Sequence, residues 1–120
     1  MTALPARRLN AGERDALLHR HPMWQLKHER EAITRYLRFD SFAEAFGFMS
    51  AVAIIADRLD HHPEWSNVYD RVEIVLTTHD ADGLSPRDVA LAERIDDLAL
   101  LFGADNLAPR SVANARTAQP

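Results

Sequence analysis

Three histidines lie close together in the middle of the 120-residue chain, and their side chains are well suited to proton transfer. His61 and His62 are adjacent and are followed by Pro63, whereas His79 lies seventeen positions after His62. Imidazole has a reference pKa of about 6.5, so grouped histidines can both donate and accept protons near neutral pH. The centre of the sequence therefore indicates acid-base chemistry.

The acidic residues before the histidine pair suggest how it could work. If the preceding helix reaches His61, Asp57 lies one turn earlier on the same face of that helix. The carboxylate of Asp57 and the negative end of the helix dipole would then both favour the protonated form of His61, which could act as a proton donor. A zinc site is the alternative, with Asp57 or Asp60 completing the ligands, although adjacent histidines lack the one-turn spacing that directs two rings at one ion. A third interpretation is that the histidines cap backbone groups or lie in solvent.

Composition limits the class of protein. A chain with 47% hydrophobic and 27% charged residues fits one globular domain, and its net charge of -4 provides no basic surface for direct nucleic-acid binding. Its longest apolar runs are too short for a membrane span, and its N-terminus does not resemble a secretory signal. The chain has no cysteine and therefore no disulfide or thiolate metal site. A cytoplasmic protein without membrane attachment is expected.

Hydrophobic periodicity predicts three helices. They are expected to begin near the capping residue Asn10, at Asp40 or Ser41, and at Pro86 after the cap Ser85. The middle helix is predicted to bury a stripe of apolar residues: Phe42, Ala45, Phe46, Met49, Val52, Ala53, Ala56 and Leu59. Its pattern stops at the histidine pair because a residue before proline disfavours helix.

Strands are expected within residues 23–28, 32–39 and 65–78, with a turn near residues 67–70 dividing the last region into two. The resulting order, α-β-β-α-β-β-α, predicts a two-layer α+β domain with helices on one face of a four-stranded antiparallel sheet. Residues 1–103 are expected to form this single domain. Residues 104–120 have little apolar periodicity and are expected to be a mobile tail that folding does not require.

Residues 57–69 closely resemble the signature of the pterin-4a-carbinolamine dehydratases. The family pattern has an acidic residue, a histidine pair with proline, an aromatic residue, a third histidine and an aspartate. These positions are filled by Asp57, His61, His62, Pro63, Tyr69, His79 and Asp88. The similarity extends over about residues 9–99, and such a long joint match is far more specific than His-His-Pro alone.

The resemblance implies an enzyme without metal or cofactor that removes water from 4a-hydroxytetrahydropterin. The product would be quinonoid dihydropterin, which returns to the cofactor pool of aromatic amino acid hydroxylases. The catalytic residues implied are His61 and His79, as an acid/base pair in either order, and His62, which helps hold the pterin. The substrate-binding residues implied are Asp57, Asp60, Thr77, Thr78, Asp80 and Trp24, of which the tryptophan is either an aromatic wall or a core residue.

The resemblance also leaves a binding function open. Some members of the family serve as a dimerisation cofactor of a homeodomain transcription factor, and dehydratase-like relatives are associated with the assembly of other enzymes. The presence of His61, His62 and His79 favours catalysis, with which a partner role could coexist. A homo-oligomer, either a dimer or a tetramer, is expected from the family.

Dehydratase activity is predicted to be independent of bound metal, because the chain lacks cysteine and its adjacent histidines are poorly spaced for one ion. Exhaustive chelation followed by an assay with 4a-hydroxytetrahydropterin should leave turnover unchanged. Activity that disappears on chelation and returns only with zinc would establish the metal site instead.

Overall fold

Three helices and a five-stranded antiparallel sheet make up the residues that the computed structural model describes, 4–27 and 29–107. In chain order the elements are α1 (Ala11–Arg20), β1 (Gln25–Leu26), β2 (Ile33–Arg38), α2 (Phe42–Leu59), β3 (Glu64–Val68), β4 (Arg71–Leu76), α3 (Pro86–Leu101) and β5 (Asp105–Leu107). A short 3₁₀ turn, His79–Ala81, lies between β4 and α3. No helix in these ranges is long and apolar enough to cross a membrane. The predicted α+β class and antiparallel sheet are confirmed.

The sheet has the order β1-β2-β4-β3, and β5 also pairs with β2. Strand β4 pairs along the whole of β2, from Ile33 opposite Leu76 to Arg38 opposite Arg71. On the other edge of β2, β1 pairs with residues 33–34 and β5 with residues 36–38. The sheet therefore has five strands rather than the four predicted, and the fifth comes from beyond the predicted domain end.

One face of α2 contributes to the core, but it is rotated from the face that the sequence predicts. The predicted stripe residues that are buried are Ala45, Val52 and Ala56. Phe46, however, is 56% exposed, and Phe42 is 49% exposed beside it, with 5.8 Å between the two ring centroids. Phe48 is fully buried in their place.

The position of Phe48 is decided by aromatic partners from other elements. Its ring centroid lies 4.8 Å from that of Phe39, which follows β2, and 6.1 Å from that of Phe102, which follows α3. Burial of a phenylalanine side chain stabilises a protein by about 1.5–3 kcal/mol, and contacts with other aromatic rings add to this. The stabilisation from burying Phe48 between two rings therefore outweighs the preference for Phe46 that the helical spacing suggests. Helical spacing alone does not reveal such partners.

A partly buried polar network around Arg35 ties α3 to β2 and β5. The guanidinium of Arg35 is almost fully buried and donates to the carboxylate of Asp96 and to the side-chain oxygen of Asn106. Asp96 also accepts a hydrogen bond from Trp24 Nε1 at 2.8 Å and contacts His21 Nδ1 at 2.7 Å. Burial lowers the pKa of Arg35 from its usual value, and the nearby charge of Asp96 opposes this effect. The guanidinium therefore depends on its polar partners for compensation.

The predicted domain boundary at residue 103 needs correction. Residues 105–107 form β5, and Asn106 at its centre bonds to Arg35, so this part of the predicted tail belongs to the sheet. A short polar strand has no periodicity of its own, and its role depends on a partner that is distant in sequence. Residues 108–120 of the predicted tail lie outside the described residues.

Removal of β5 is expected to destabilise the protein, contrary to the expectation that the tail is dispensable. A chain shortened to end at Ala104 loses the backbone pairing with β2 and leaves Arg35 without Asn106. We expect the free energy of unfolding to fall by about 1–3 kcal/mol, the cost of an unsatisfied buried polar group. Urea denaturation measures it, and a chain ending at Leu107 is the control. Equal stability of the two shortened chains would contradict this role of β5.

Candidate active site

The end of α2 directs the two adjacent histidines to different environments. After Leu59 the helix closes with Asp60 in the left-handed conformation, at φ 53° and ψ 43°, and the amide of His61 donates to the carbonyl of Ala56 at 3.0 Å. This is a Schellman-type termination, in which aspartate occupies the position that often holds glycine. The chain reverses there, so His61 is buried whereas the side chain of His62 is 60% exposed.

His61 contacts a buried carboxylate on the N-terminal turn of α3. Its Nε2 lies 2.6 Å from Oδ1 of Asp88, which is fully buried. The other carboxylate oxygen accepts hydrogen bonds from Thr78 Oγ1 at 2.7 Å and from the backbone amide of Ser85 at 2.9 Å. The hydroxyls of Thr78 and Ser85 are themselves 2.7 Å apart. Asp88 thus joins the end of α2, the segment after β4 and the start of α3.

Local sequence explains why a carboxylate is stable at this depth. Ser85 and Asp88 form a reciprocal capping box at the start of α3, and Pro86 occupies the first turn. The positive end of the helix dipole and three hydrogen-bond donors compensate the carboxylate. The carboxylate in turn orients the His61 ring and favours the tautomer that carries a proton on Nε2.

Asp57 contacts His62 instead of His61. Its Oδ1 lies 3.0 Å from His62 Nε2, and both side chains are largely exposed. The predicted pairing of Asp57 with His61 is wrong because α2 ends at Leu59, and the reversal turns His61 away from the helix surface that carries Asp57. An exposed pair of this kind contributes little to stability.

The third histidine lies on the 3₁₀ turn after β4. Backbone hydrogen bonds in both directions between Thr78 and Gly83, at 2.8 Å and 3.3 Å, hold this turn closed. The ring of His79 is 87% exposed, and its Nε2 lies 3.8 Å from Oε2 of Glu64 at the start of β3. His79 and His61 both line the same cleft.

These elements enclose an open cleft of about 250 Å³, a size suited to a small molecule. Its lining residues are Asp60, His61, His62, Glu64, Thr77, Thr78, His79, Asp80 and Arg87. A larger cleft of about 370 Å³ lies between α1 and α3, but its lining is mostly apolar and includes none of the three motif histidines. Converging imidazoles and carboxylates make the smaller cleft the candidate active site.

The cleft brings together seven of the residues implied by the sequence, whereas Trp24 and Asp57 are not among its lining residues. Trp24 is 2% exposed and bonds to Asp96, so the interpretation of this tryptophan as a core residue is correct. Thr77 donates to the carbonyl of Glu31 at 3.0 Å, so its hydroxyl already has a protein partner.

Sequence reasoning did not name Glu64 and Arg87 as site residues, although both line the cleft. Glu64 directly follows the His-His-Pro motif, and this adjacency could have indicated that it lies near the site. Asp88 was recognised only as part of the family pattern, and its contact with His61 spans 27 positions. Within the described ranges, no group of three or more His, Asp or Glu side chains is arranged to hold a metal ion.

A family model described as pterin 4 alpha carbinolamine dehydratase matches residues 7–98. The chain belongs to this family. Relatives that carry the name "Putative pterin-4-alpha-carbinolamine dehydratase" include a protein of Novosphingobium aromaticivorans, 55% identical over 89 residues, which are 74% of this chain and 93% of the relative. A protein of Burkholderia multivorans with the same name is 54% identical over 92 residues, 77% of this chain and 90% of the relative.

Solved structures agree with membership of the pterin carbinolamine dehydratase family. A transcriptional coactivator/pterin dehydratase from Brucella melitensis has a TM-score of 0.75 and 42% identity, over 78% of this chain and 99% of that one. A pterin dehydratase-like protein described as a RuBisCO assembly factor in the alpha-carboxysome has a TM-score of 0.57 and 26% identity, over 68% and 94% of the two chains. The resemblance seen in the sequence is thereby confirmed at the level of family and fold.

Replacement of Asp88 by asparagine is expected to impair both folding and turnover. The amide presents a donor where the carboxylate accepts from His61, Thr78 and Ser85, so at least one buried donor loses its partner. We expect the free energy of unfolding to fall by about 1–3 kcal/mol. Turnover of 4a-hydroxytetrahydropterin should fall by about 10-fold or more as His61 loses its orientation.

Urea denaturation and steady-state kinetics measure the two effects of Asp88→Asn. The matched control is Asp97→Asn, which makes the same chemical change at an exposed position of α3. If the two variants behave alike, the buried network does not orient the site.

Proposed function

We propose that this protein catalyses the dehydration of 4a-hydroxytetrahydropterin to quinonoid dihydropterin. The observation that carries the proposal is the convergence of His61, backed by buried Asp88, and His79 on one small cleft. Membership of the pterin carbinolamine dehydratase family supplies the substrate class. The proposed setting is the cytoplasmic recycling of tetrahydropterin for aromatic hydroxylases.

The reaction needs one proton donor and one proton acceptor on a single substrate. One imidazolium protonates the hydroxyl at C4a, the C4a–O bond breaks, and water departs. The other imidazole accepts the proton from N5, whose bonding electrons form the C4a–N5 double bond. Imidazole can either donate or accept a proton, so two histidines can share these roles, and exchange with solvent restores both protonation states.

The environments of the two histidines suit different parts of this task. His61 is held by Asp88 through Nε2, so only Nδ1 is left to exchange a proton with substrate. Asp88 also offers a counter-charge for His61 when the ring is protonated, without moving. His79 is open to solvent and can exchange its proton rapidly between turnovers. His62 also lines the cleft, and its proposed role is to hold the pterin.

Replacement of His61 or His79 by alanine should lower turnover by about 100-fold or more, the usual share of general acid-base catalysis. His62→Ala should raise the Michaelis constant more than it lowers turnover, because its role is binding. Steady-state kinetics with freshly generated 4a-hydroxytetrahydropterin separates the two classes, after circular dichroism has established folding. His19→Ala, at an exposed position of α1, is the control.

Two outcomes would overturn the proposal. Near-normal turnover in the His61→Ala, His79→Ala double variant would show that the imidazoles do not carry the chemistry. A wild-type protein without dehydratase activity would favour a partner-binding role, such as the assembly role described for the RuBisCO-associated neighbour.

A further inference from the structure

The carboxylate of Glu64 contacts both Arg30, on a neighbouring loop, and His79, the exposed histidine of the candidate active site. Arg30, in the loop between β1 and β2, forms two hydrogen bonds with its carboxylate, at 2.9 Å to Oε1 and 3.1 Å to Oε2. The same Oε2 lies 3.8 Å from Nε2 of His79. Glu64 also lines the cleft, so this chain of charges reaches the candidate active site.

The electrostatic surroundings keep Glu64 ionised. Its pKa lies below the usual value, chiefly because Arg30 donates hydrogen bonds to the carboxylate, with smaller effects from the charges of Arg30, His79 and Lys27. The carboxylate therefore stays negative throughout the pH range in which a histidine titrates. A fixed anion beside an imidazole favours one orientation of the ring and favours its protonated form.

His79 needs such a partner because the fold does little to restrain its ring. The side chain is 87% exposed on a three-residue 3₁₀ turn, whereas His61 is buried and held by Asp88. A freely rotating side chain must lose rotamer entropy before it can transfer a proton in a fixed direction. At 3.8 Å the contact with Glu64 is longer than a hydrogen bond, and contacts of this kind often shorten when substrate binds.

We propose that Glu64 is the positioning residue for His79 and that Arg30 fixes Glu64 in the required orientation. Glu64 then does for the exposed histidine what Asp88 does for the buried one. Each imidazole of the pair would have its own carboxylate, supplied by β3 in one case and by α3 in the other. This inference rests on the proposed function of the cleft and adds two residues to its machinery.

A double-mutant cycle between Glu64 and His79 tests the inference. Glu64→Gln keeps the shape of the side chain and removes its charge, and we expect kcat to fall by about 10-fold with a smaller change in KM. In the His79→Ala background the same substitution should have almost no further effect, because the residue through which it acts is gone. Arg30→Gln should behave in the same way, more weakly.

Glu29→Gln is the matched control. It removes one negative charge from the loop that carries Arg30, at a side chain that is 70% exposed and pairs with Lys27 instead of His79. We expect wild-type kcat for this variant. Equal effects of the two glutamine substitutions, or additive effects of Glu64→Gln and His79→Ala, would overturn the positioning role.

A readout that does not need turnover separates this inference from the proposed function. The ¹³C–¹H NMR signal of the His79 ring should shift at neutral pH in Glu64→Gln and stay in place in Glu29→Gln. If the wild-type protein is inactive but the signal shifts, the proposed function fails and the Glu64–His79 interaction stands. If the protein is active and the signal does not shift, the inference fails and the function stands.

Discussion

The hydrogen bonds to the buried carboxylate of Asp88 are the interaction on which the rest of the candidate site depends. Through them the end of α2, the residue after β4 and the first turn of α3 meet at one point. Burial of a carboxylate is unfavourable unless its lone pairs find donors, so displacement of any one of these three segments would leave the buried carboxylate without one of its donors. The capping of a helix and the orientation of His61 are thus two results of the same set of contacts.

The two carboxylates near the histidines illustrate how burial changes the meaning of an ion pair. The contact between His61 and Asp88 is shielded from solvent, and the other donors to the carboxylate fix its orientation toward His61. The contact between His62 and Asp57 is similar in length but lies in water, where competing solvent and side-chain freedom weaken it. Both contacts are within hydrogen-bond distance, and solvent exposure separates the structural interaction from the incidental one.

Local signals in the sequence predicted local structure well. The caps at Asn10, Ser41 and Ser85 begin helices as expected, and the turn between β3 and β4 falls where polar residues interrupt the strand pattern. The family resemblance implied one site for His61, His62 and His79, and all three line one cleft. In each case the relevant residues lie close together in sequence or within a motif of fixed spacing.

Interactions between distant residues were the part that the sequence did not predict. The spacing of Asp57 and His61 suggested a helical pair, but the helix ends before His61 and the reversal at Asp60 separates them. Phe48 rather than Phe46 is buried because of partners outside α2. The partly buried network of Arg35, Asp96 and Asn106 combines residues from two strands and a helix, each of which looks like an ordinary surface residue in its own segment.

Strand β5 has a further consequence for the edges of the sheet. With β1 beside one end of β2 and β5 beside the other, the backbone groups of β2 on that side are largely occupied by the protein's own chain. An occupied edge cannot template the addition of a foreign strand, and this protects a sheet from edge-to-edge aggregation. Within the described residues β3 pairs with β4 alone, whereas β1 and β5 pair with β2 alone, so β3 is the longest strand with an open edge, and its first residue, Glu64, lines the cleft.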